Sequence, residues 1–177
     1  MRGDILVATY VVSDIHGERS KLELLLERIG FSDDDALFLL GDVIDRGPDG
    51  VDLLRKIRTM PNVQMLLGNH EHMMLTSFGE GLNLLEFRNW MRNGGEKTAQ
   101  VFIDLPEQEQ EDILNWLRAL PIHLEIAVGC RKFHWFTGGP EGPSVTRFGV
   151  APKVWTIEVI VYLIMRPSSL GIPRLFS

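Results

Sequence analysis

Three short polar segments, each at the end of an apolar run, constrain this chain more than anything else in it. They are Ser13-Asp14-Ile15-His16-Gly17, Gly41-Asp42-Val43-Ile44-Asp45-Arg46-Gly47-Pro48 and Gly68-Asn69-His70-Glu71. Asp14 and Asp42 lie 28 residues apart, and Asp42 and Asn69 lie 27 apart. That is close to the ~30 residues of one strand–helix–strand unit. The spacing therefore places Asp14, His16, Asp42, Asn69 and His70 at the carboxyl ends of neighbouring parallel strands, where open α/β sheets bind ligands. Carboxylates, an imidazole and an amide oxygen converging there suit a hard-to-borderline metal ion.

The rest of the chain supports that frame. Ile5–Ser13, Ala36–Leu40 and Val63–Leu67 read as strands, the first rich in β-branched residues as a buried parallel strand is. Glu18–Ile29 carries Leu22, Leu25, Leu26 and Ile29 at helical spacing and ends at Gly30, a natural C-terminal cap. Val51–Ile57 is a short helix, and another begins at Glu71. Residues 82–120 read as a mostly helical insert, with Pro106 in the first turn of its last helix. Ile122–Val128 and Lys132–Phe136 follow as antiparallel strands.

Composition excludes several classes. A net charge of −6 argues against non-specific binding to nucleic acid. The longest strongly apolar stretch, Val159–Met165, is far too short to span a bilayer. The single cysteine, Cys130, rules out an internal disulfide and fits a reducing, cytoplasmic compartment. The N-terminus lacks the basic stretch and long apolar core of a signal peptide.

In order and at this spacing, the three segments resemble the first three motifs of the calcineurin-like metallophosphoesterases. The Gly41–Pro48 run is similar to the phosphoprotein phosphatase branch, bacterial and phage serine/threonine phosphatases above all, and to the symmetrical diadenosine tetraphosphate hydrolases. The likeness covers roughly residues 10 to 133 and includes Trp90-Met91-Arg92-Asn93-Gly94-Gly95, a segment like one common in bacterial members. The resemblance implies an α/β fold of the α+β sandwich type, a mixed sheet with flanking helices. It makes residues 1–133 the core, with residues 134–177 as a divergent tail rather than a second domain.

The resemblance also implies roles. Asp14, His16 and Asp42 hold a first divalent ion, and Asp42 with Asn69 holds a second. Manganese is the first choice, with iron, zinc or magnesium as alternatives. A metal-activated water attacks phosphorus in line. His70 protonates the leaving oxygen, Asp45 holds and charges the His70 ring, and Arg46, Asn69 and His70 bind substrate phosphate. The substrate is a phosphoprotein or a small phosphate ester; the alternatives are a dinucleoside polyphosphate, or no turnover at all in a phosphate- or partner-binding protein. Taken singly, each group has a plainer role. Asp42 and Asp45 read equally as caps of the helix near Asp49, and a lone Asp or His at a strand end is most often a turn residue. Glu71 reads either as a helix-start residue or as support to the site. His72 is expected in solvent, His123 in a structural role, Met65, Met73 and Met74 in packing, and Asp33-Asp34-Asp35 in a solvated loop.

The pattern breaks near the end. The family supplies two further metal-binding histidines, one in a Val-His-Ala/Gly-Gly context and one in a later Gly-His-Thr segment. Here Thr137 stands at the first position, His134 comes three residues early on a strand, and no histidine follows. Neither Arg147 nor Arg166 has the context of the family's second phosphate-binding arginine. Charge changes there too: residues 1–128 carry 12 Lys/Arg against 22 Asp/Glu, residues 129–177 carry 6 against 2. Read one base earlier, the codons of Trp135 and Phe136 give Leu-Val. His then follows if the Phe136 codon ends in C, and Gly if the Thr137 codon ends in G. A frameshift near His134 is therefore the expectation, with a divergent tail as its rival; resequencing decides between them. A site lacking both imidazoles should hold one ion well and a second weakly. Five prolines, Pro140, Pro143, Pro152, Pro167 and Pro173, predict an irregular ending, with Val154–Met165 as a candidate added strand.

Overall fold

The computed structural model describes residues 8–79, 81–128, 131–136, 144–146 and 160–163, those from 126 onward by their backbone. Three parallel strands form its centre: β1 (Thr9–Ser13), β2 (Ala36–Leu39) and β3 (Val63–Met65). Helix α1 (Arg19–Ile29) joins the first two, and α2 (Gly50–Thr59) joins the second and third. Helix α3 (Asn69–Phe78) follows, then α4 (Leu84–Arg92), α5 (Glu96–Ile103) and α6 (Glu107–Arg118). Strands β4 (His123–Val128), β5 (Arg131–Phe136) and β6 (Ser144–Thr146) form an antiparallel sheet. Strand β7 (Ile160–Leu163) returns to pair antiparallel with β1, giving a first sheet of order β3-β2-β1-β7.

The elements follow from their residues. In β1, Tyr10, Val11, Val12 and Ser13 are all buried, as a central strand covered on both faces requires. Helix α1 buries Leu22 and packs Leu25, Leu26 and Ile29 against the core. It stops at Gly30, whose φ of 64° is the left-handed conformation expected at that cap. Helix α2 buries Val51, Leu53, Leu54 and Ile57 along one face. Helix α3 packs on both α4 and α6, and α2 packs on α5. Trp90, Phe102, Ile113 and Leu117 from the three later helices reach the same core as the strands. Met65 and Met74 are buried in that core and Met73 packs against it.

The sequence reading needs few corrections here. Strand β3 ends at Met65 rather than Leu67, because the Leu67 amide turns to the Pro121 carbonyl at 2.9 Å. Pro106 is the N-cap of α6, one place before the first turn. Asp35 is no solvated loop residue: it is 7% exposed, and its carboxylate accepts from the Ala8 amide (2.8 Å) and the Ser32 amide (2.9 Å). It ties the start of β1 to the start of β2. His72 is exposed, as expected, and His123 opens β4. His134 lies on β5, opposite Glu125 and Thr146. Of the candidate strand Val154–Met165, Ile160–Leu163 form β7, and the rest lies outside the described residues. Thr137, Arg147, Arg166 and the five prolines of the ending lie outside the described residues. Among the described residues, no helix is long and apolar enough to cross a membrane.

Candidate metal and phosphate site

The three loops at the strand ends interlock through their backbones. The His16 amide donates to the Asp42 carbonyl (2.9 Å), Gly17 to Val43 (2.7 Å), and Gly47 back to His16 (2.9 Å). Such contact needs residues without side chains. A Cβ on Gly68 would overlap the Asp42 amide, and one on Gly41 would overlap the Gly68 backbone. Asp14, His16, Asp42, Asp45 and Arg46 all have positive φ, between 48° and 72°. Among the described residues they are the only non-glycine ones that do. Left-handed backbone at five ordinary residues costs free energy, and it gathers where surrounding structure enforces a functional geometry.

Those loops bring donor atoms of His16, Asp42 and His70 within 4.8 Å of one another. His16 is 3% exposed, and its Nδ1 bonds the Ile44 carbonyl at 3.2 Å, which leaves Nε2 as the lone-pair nitrogen facing the cluster. Asp14 stands beside it, with Oδ1 3.7 Å from His16 Nε2. The neighbouring His16 ring and the Ser13 hydroxyl, which donates to Oδ2 at 2.6 Å, hold the Asp14 carboxyl below its usual range against burial. Asp42 is 7% exposed, and burial raises its pKa. Its Oδ1 accepts the His70 amide at 3.1 Å. Asn69 is exposed; in the orientation that satisfies both groups its amide nitrogen donates to the two Asp42 oxygens at 2.8 and 3.0 Å. Its nitrogen rather than its oxygen is thus committed to Asp42.

His70 is held from behind. Its Nδ1 lies 2.7 Å from Asp45 Oδ2, and both side chains are buried. Burial draws the His70 pKa down, but the bond to Asp45 and the charges of Asp42, Asp45 and Glu71 outweigh it and raise the pKa overall. Arg46 spans the front: one guanidinium nitrogen lies 2.9 Å from His16 Nε2 and the other 3.3 Å from His70 Nε2. A cation thus already sits where the donors converge, and the donor set, two imidazoles and two carboxylates, is one that divalent ions accept. The residues present fit a metal ion.

Glu71 does more than start a helix. It is fully buried, and its two oxygens accept from the amides of Asp42 (2.9 Å), Val43 (2.8 Å), Ile44 (3.1 Å) and Gly68 (3.0 Å). Burial, then the Asp42 charge, pushes its carboxyl up to about 7 against the pull of those amides. One side chain therefore fixes the second loop onto the third. Its place three residues past Gly68 signals the Gly68 contact, half of a capping box, but not the reach across to residues 42–44. Trp90, Gly94 and Thr98 were also not read as site residues. Trp90 Nε1 donates to Asp45 Oδ2 at 2.7 Å, the Gly94 carbonyl accepts the Arg46 amide at 2.9 Å, and Thr98 Oγ1 accepts the Asp45 amide at 3.0 Å. The Trp90–Gly95 resemblance pointed to the first two, and no sequence signal marked Thr98. Asp42 and Asp45 are not helix caps: the N-cap of α2 is Asp49.

The comparisons with known proteins agree with this geometry. Over residues 8–152 the chain matches the family model of the calcineurin-like phosphoesterases. It is 36% identical over 120 residues to a symmetrical bis(5'-nucleosyl)-tetraphosphatase of Erwinia tasmaniensis, covering 66% of this chain and 39% of that one. It is 34% identical over 120 residues to the same enzyme of Salmonella paratyphi C, covering 67% and 39%. The chain thus spans about two-fifths of the length of these relatives. In fold alone it is similar to a hypothetical protein of Pyrococcus horikoshii OT3, with a TM-score of 0.51 at 16% identity, covering 78% of this chain and 57% of that one. With its interlocked loops, its buried donors and a family match over most of its length, the chain belongs to the calcineurin-like phosphoesterases, a family of metal-dependent hydrolases.

Proposed function

We propose that this chain carries the metal-binding and proton-donating part of a hydrolase that cleaves dinucleoside polyphosphates. The observation that carries the chemistry is the His70 ring, with Nδ1 tied to Asp45 and Nε2 turned toward Asp42 and His16. The substrate class is supported by the tetraphosphatases of Erwinia and Salmonella. It displaces the phosphoprotein as first choice, since the dinucleoside polyphosphate alternative is what these relatives favour.

In this reading Asp14, His16 and Asp42 hold a first divalent ion, and Asp42 with Asn69 part of a second, manganese being the working choice. When bound, such an ion would supply Lewis acidity toward a phosphoryl oxygen and toward water. The chain's own residues do the rest. Arg46 leaves the two imidazoles and takes phosphate oxygens through its planar fork. His70 carries a proton on Nε2 once Arg46 has moved, and delivers it to the leaving oxygen. Asp45 keeps the ring oriented and stabilises its charged form. Asn69 exchanges its bond to Asp42 for the second ion or the phosphate. Cys130 as the single cysteine supports a cytoplasmic setting.

A phosphoprotein substrate remains the second reading, favoured by the Trp90–Gly95 segment and its contacts to the site. Turnover of diadenosine tetraphosphate and of a phosphoserine peptide with Mn²⁺, each against His70→Asn, tests both. Dinucleotide cleavage that disappears in the variant supports the proposal. Peptide cleavage alone replaces it with the second reading. Binding without turnover leaves a phosphate-binding protein.

A further inference from the structure

The segment Trp90–Gly95 has a structural consequence that the reaction above does not use. We propose that Trp90 is a positioning residue for proton donation: its indole N–H fixes the Asp45 carboxylate so that His70 keeps the proton on Nδ1 and directs Nε2 at the leaving oxygen. The inference rests on the reading of His70 as the general acid.

The geometry is specific. Asp45 Oδ2 accepts two short bonds, from His70 Nδ1 and Trp90 Nε1, both at 2.7 Å. Asp45 and Trp90 are each 0% exposed, and Asp45 Oδ1 is buried without a hydrogen-bond partner among the described residues. With His70 as its only side-chain donor, Asp45 could rotate to present the other oxygen. The indole N–H opposes this, because it bonds the same Oδ2 and leaves that oxygen's remaining direction to His70. In the chemical step, the His70 Nε2–H bond breaks, the proton goes to the leaving oxygen, and the ring returns neutral with Nδ1–H still on Asp45.

The neighbours show why this segment has its residues. Gly95 lies under the indole, where a Cβ would come within 2.6 Å of the ring. Gly94 has φ of 98° and offers its carbonyl to the Arg46 amide, and a Cβ there would meet Arg46 Cγ at 3.0 Å. Thr98 takes the Asp45 amide. Asp45 and Arg46, both left-handed, are thus gripped by Trp90, Gly94 and Thr98 on the α4–α5 side.

The test uses the full chain and Trp90→Phe, which keeps an aromatic ring and removes the N–H. Benzothienylalanine incorporated at position 90 is the second variant; it keeps the indole's shape without the donor. The first readout is the low-field proton resonance of His70 Nδ1–H in the metal-free protein, assigned by its loss in His70→Asn. The proposal expects it to shift or broaden in both variants while the melting temperature of the benzothienyl protein holds. An unmoved resonance overturns the proposal, whether or not the chain turns over. The second readout is Mn²⁺-dependent hydrolysis of phenyl phosphate, whose leaving oxygen needs a proton, against 2,4-dinitrophenyl phosphate, whose leaving oxygen does not. The expected result is a loss in kcat of about tenfold to a hundredfold for the first, the usual worth of a hydrogen bond to a charged group, with KM unchanged and the second substrate unaffected. Equal losses on both substrates overturn it. If His70→Asn hydrolyses phenyl phosphate like the parent, the general-acid reading itself fails, and the resonance still decides whether Trp90 acts on the pair.

Discussion

The strand-end loops and the helical layer of α4–α6 solve opposite problems with the same core. The loops put polar groups inside: His16, Asp42, Asp45, His70 and Glu71 are all buried, and five residues there accept left-handed backbone. The helices put apolar groups inside and ordinary charge outside, with Trp90, Phe102, Ile113 and Leu117 buried. The loops are costly alone, since each buried polar group must find a partner and each strained residue must be held. The helices supply part of what holds them, through Trp90, Gly94 and Thr98. The lesson is that the chemistry and the means of enforcing it are encoded about 50 residues apart, as the separations of 45 between Trp90 and Asp45 and 53 between Thr98 and Asp45 show.

The sharpest way to break that comparison is Glu71→Gln. It replaces an acceptor of four amides by a group with one acceptor oxygen. Two amides lose their partner, at a cost of roughly 2–6 kcal/mol from about 1–3 each. Denaturant unfolding measures it. A cost below about 1 kcal/mol would mean that the carboxyl is carried neutral in the fold, since Gln mimics that form. His70→Asn comes next. It should lower Mn²⁺-dependent turnover by about 10²–10⁴-fold, the range of a general acid, with unfolding close to that of the parent protein. Phe102→Ala tests the helical layer in the same way. The ring is fully buried against Phe78, so the loss should be about 3–5 kcal/mol of stability. Intact stability there would contradict the helices' part in the common core.

A smaller effect sharpens the loop side alone. Mn²⁺ at a hundred times its dissociation constant should stabilise the parent by about 2.7 kcal/mol, and His16→Ala should lose most of that shift. A thermal melt with and without the ion reads it, independent of turnover. The smallest effect is at the surface, between α1 and α2. Glu23 receives Lys56 at 2.7 Å and Arg19 at 2.9 Å, and these bonds lower its carboxyl to about 2. A depressed carboxyl stabilises the fold above its unfolded value and loses that contribution as pH falls toward the folded one. The difference between the parent and Glu23→Gln should therefore shrink from about pH 4.5 downward and vanish near 2. The group is exposed, so added salt should reduce the difference further.

Much was legible in the order of residues because it depends on local rules. Apolar runs ending in Gly and Asp marked three strands, and Gly30 marked a helix end. The alternation of strand and helix then dictated that Asp14, Asp42 and Asn69 share one edge of a parallel sheet. Asp35 was misread for the converse reason. Three consecutive acids look solvated, and only the meeting of β1 and β2 supplies Asp35 with the Ala8 amide. Glu71 stayed divided between two roles because its helix-start position is local while its bonds to residues 42–44 are not.

The sequence by itself determined the class of chemistry here, because a motif fixes which ligand atoms the chain can offer and where along it they fall. Only the tertiary structure decided how those atoms are held: which nitrogen of His16 and His70 faces the cluster, which oxygen of Asp45 takes the His70 bond, and that an indole from a distant helix shares it. Tautomer and carboxylate orientation are set by hydrogen bonds between residues remote in sequence, in a space too dry for water to substitute. Such bonds exist only when the chain has folded.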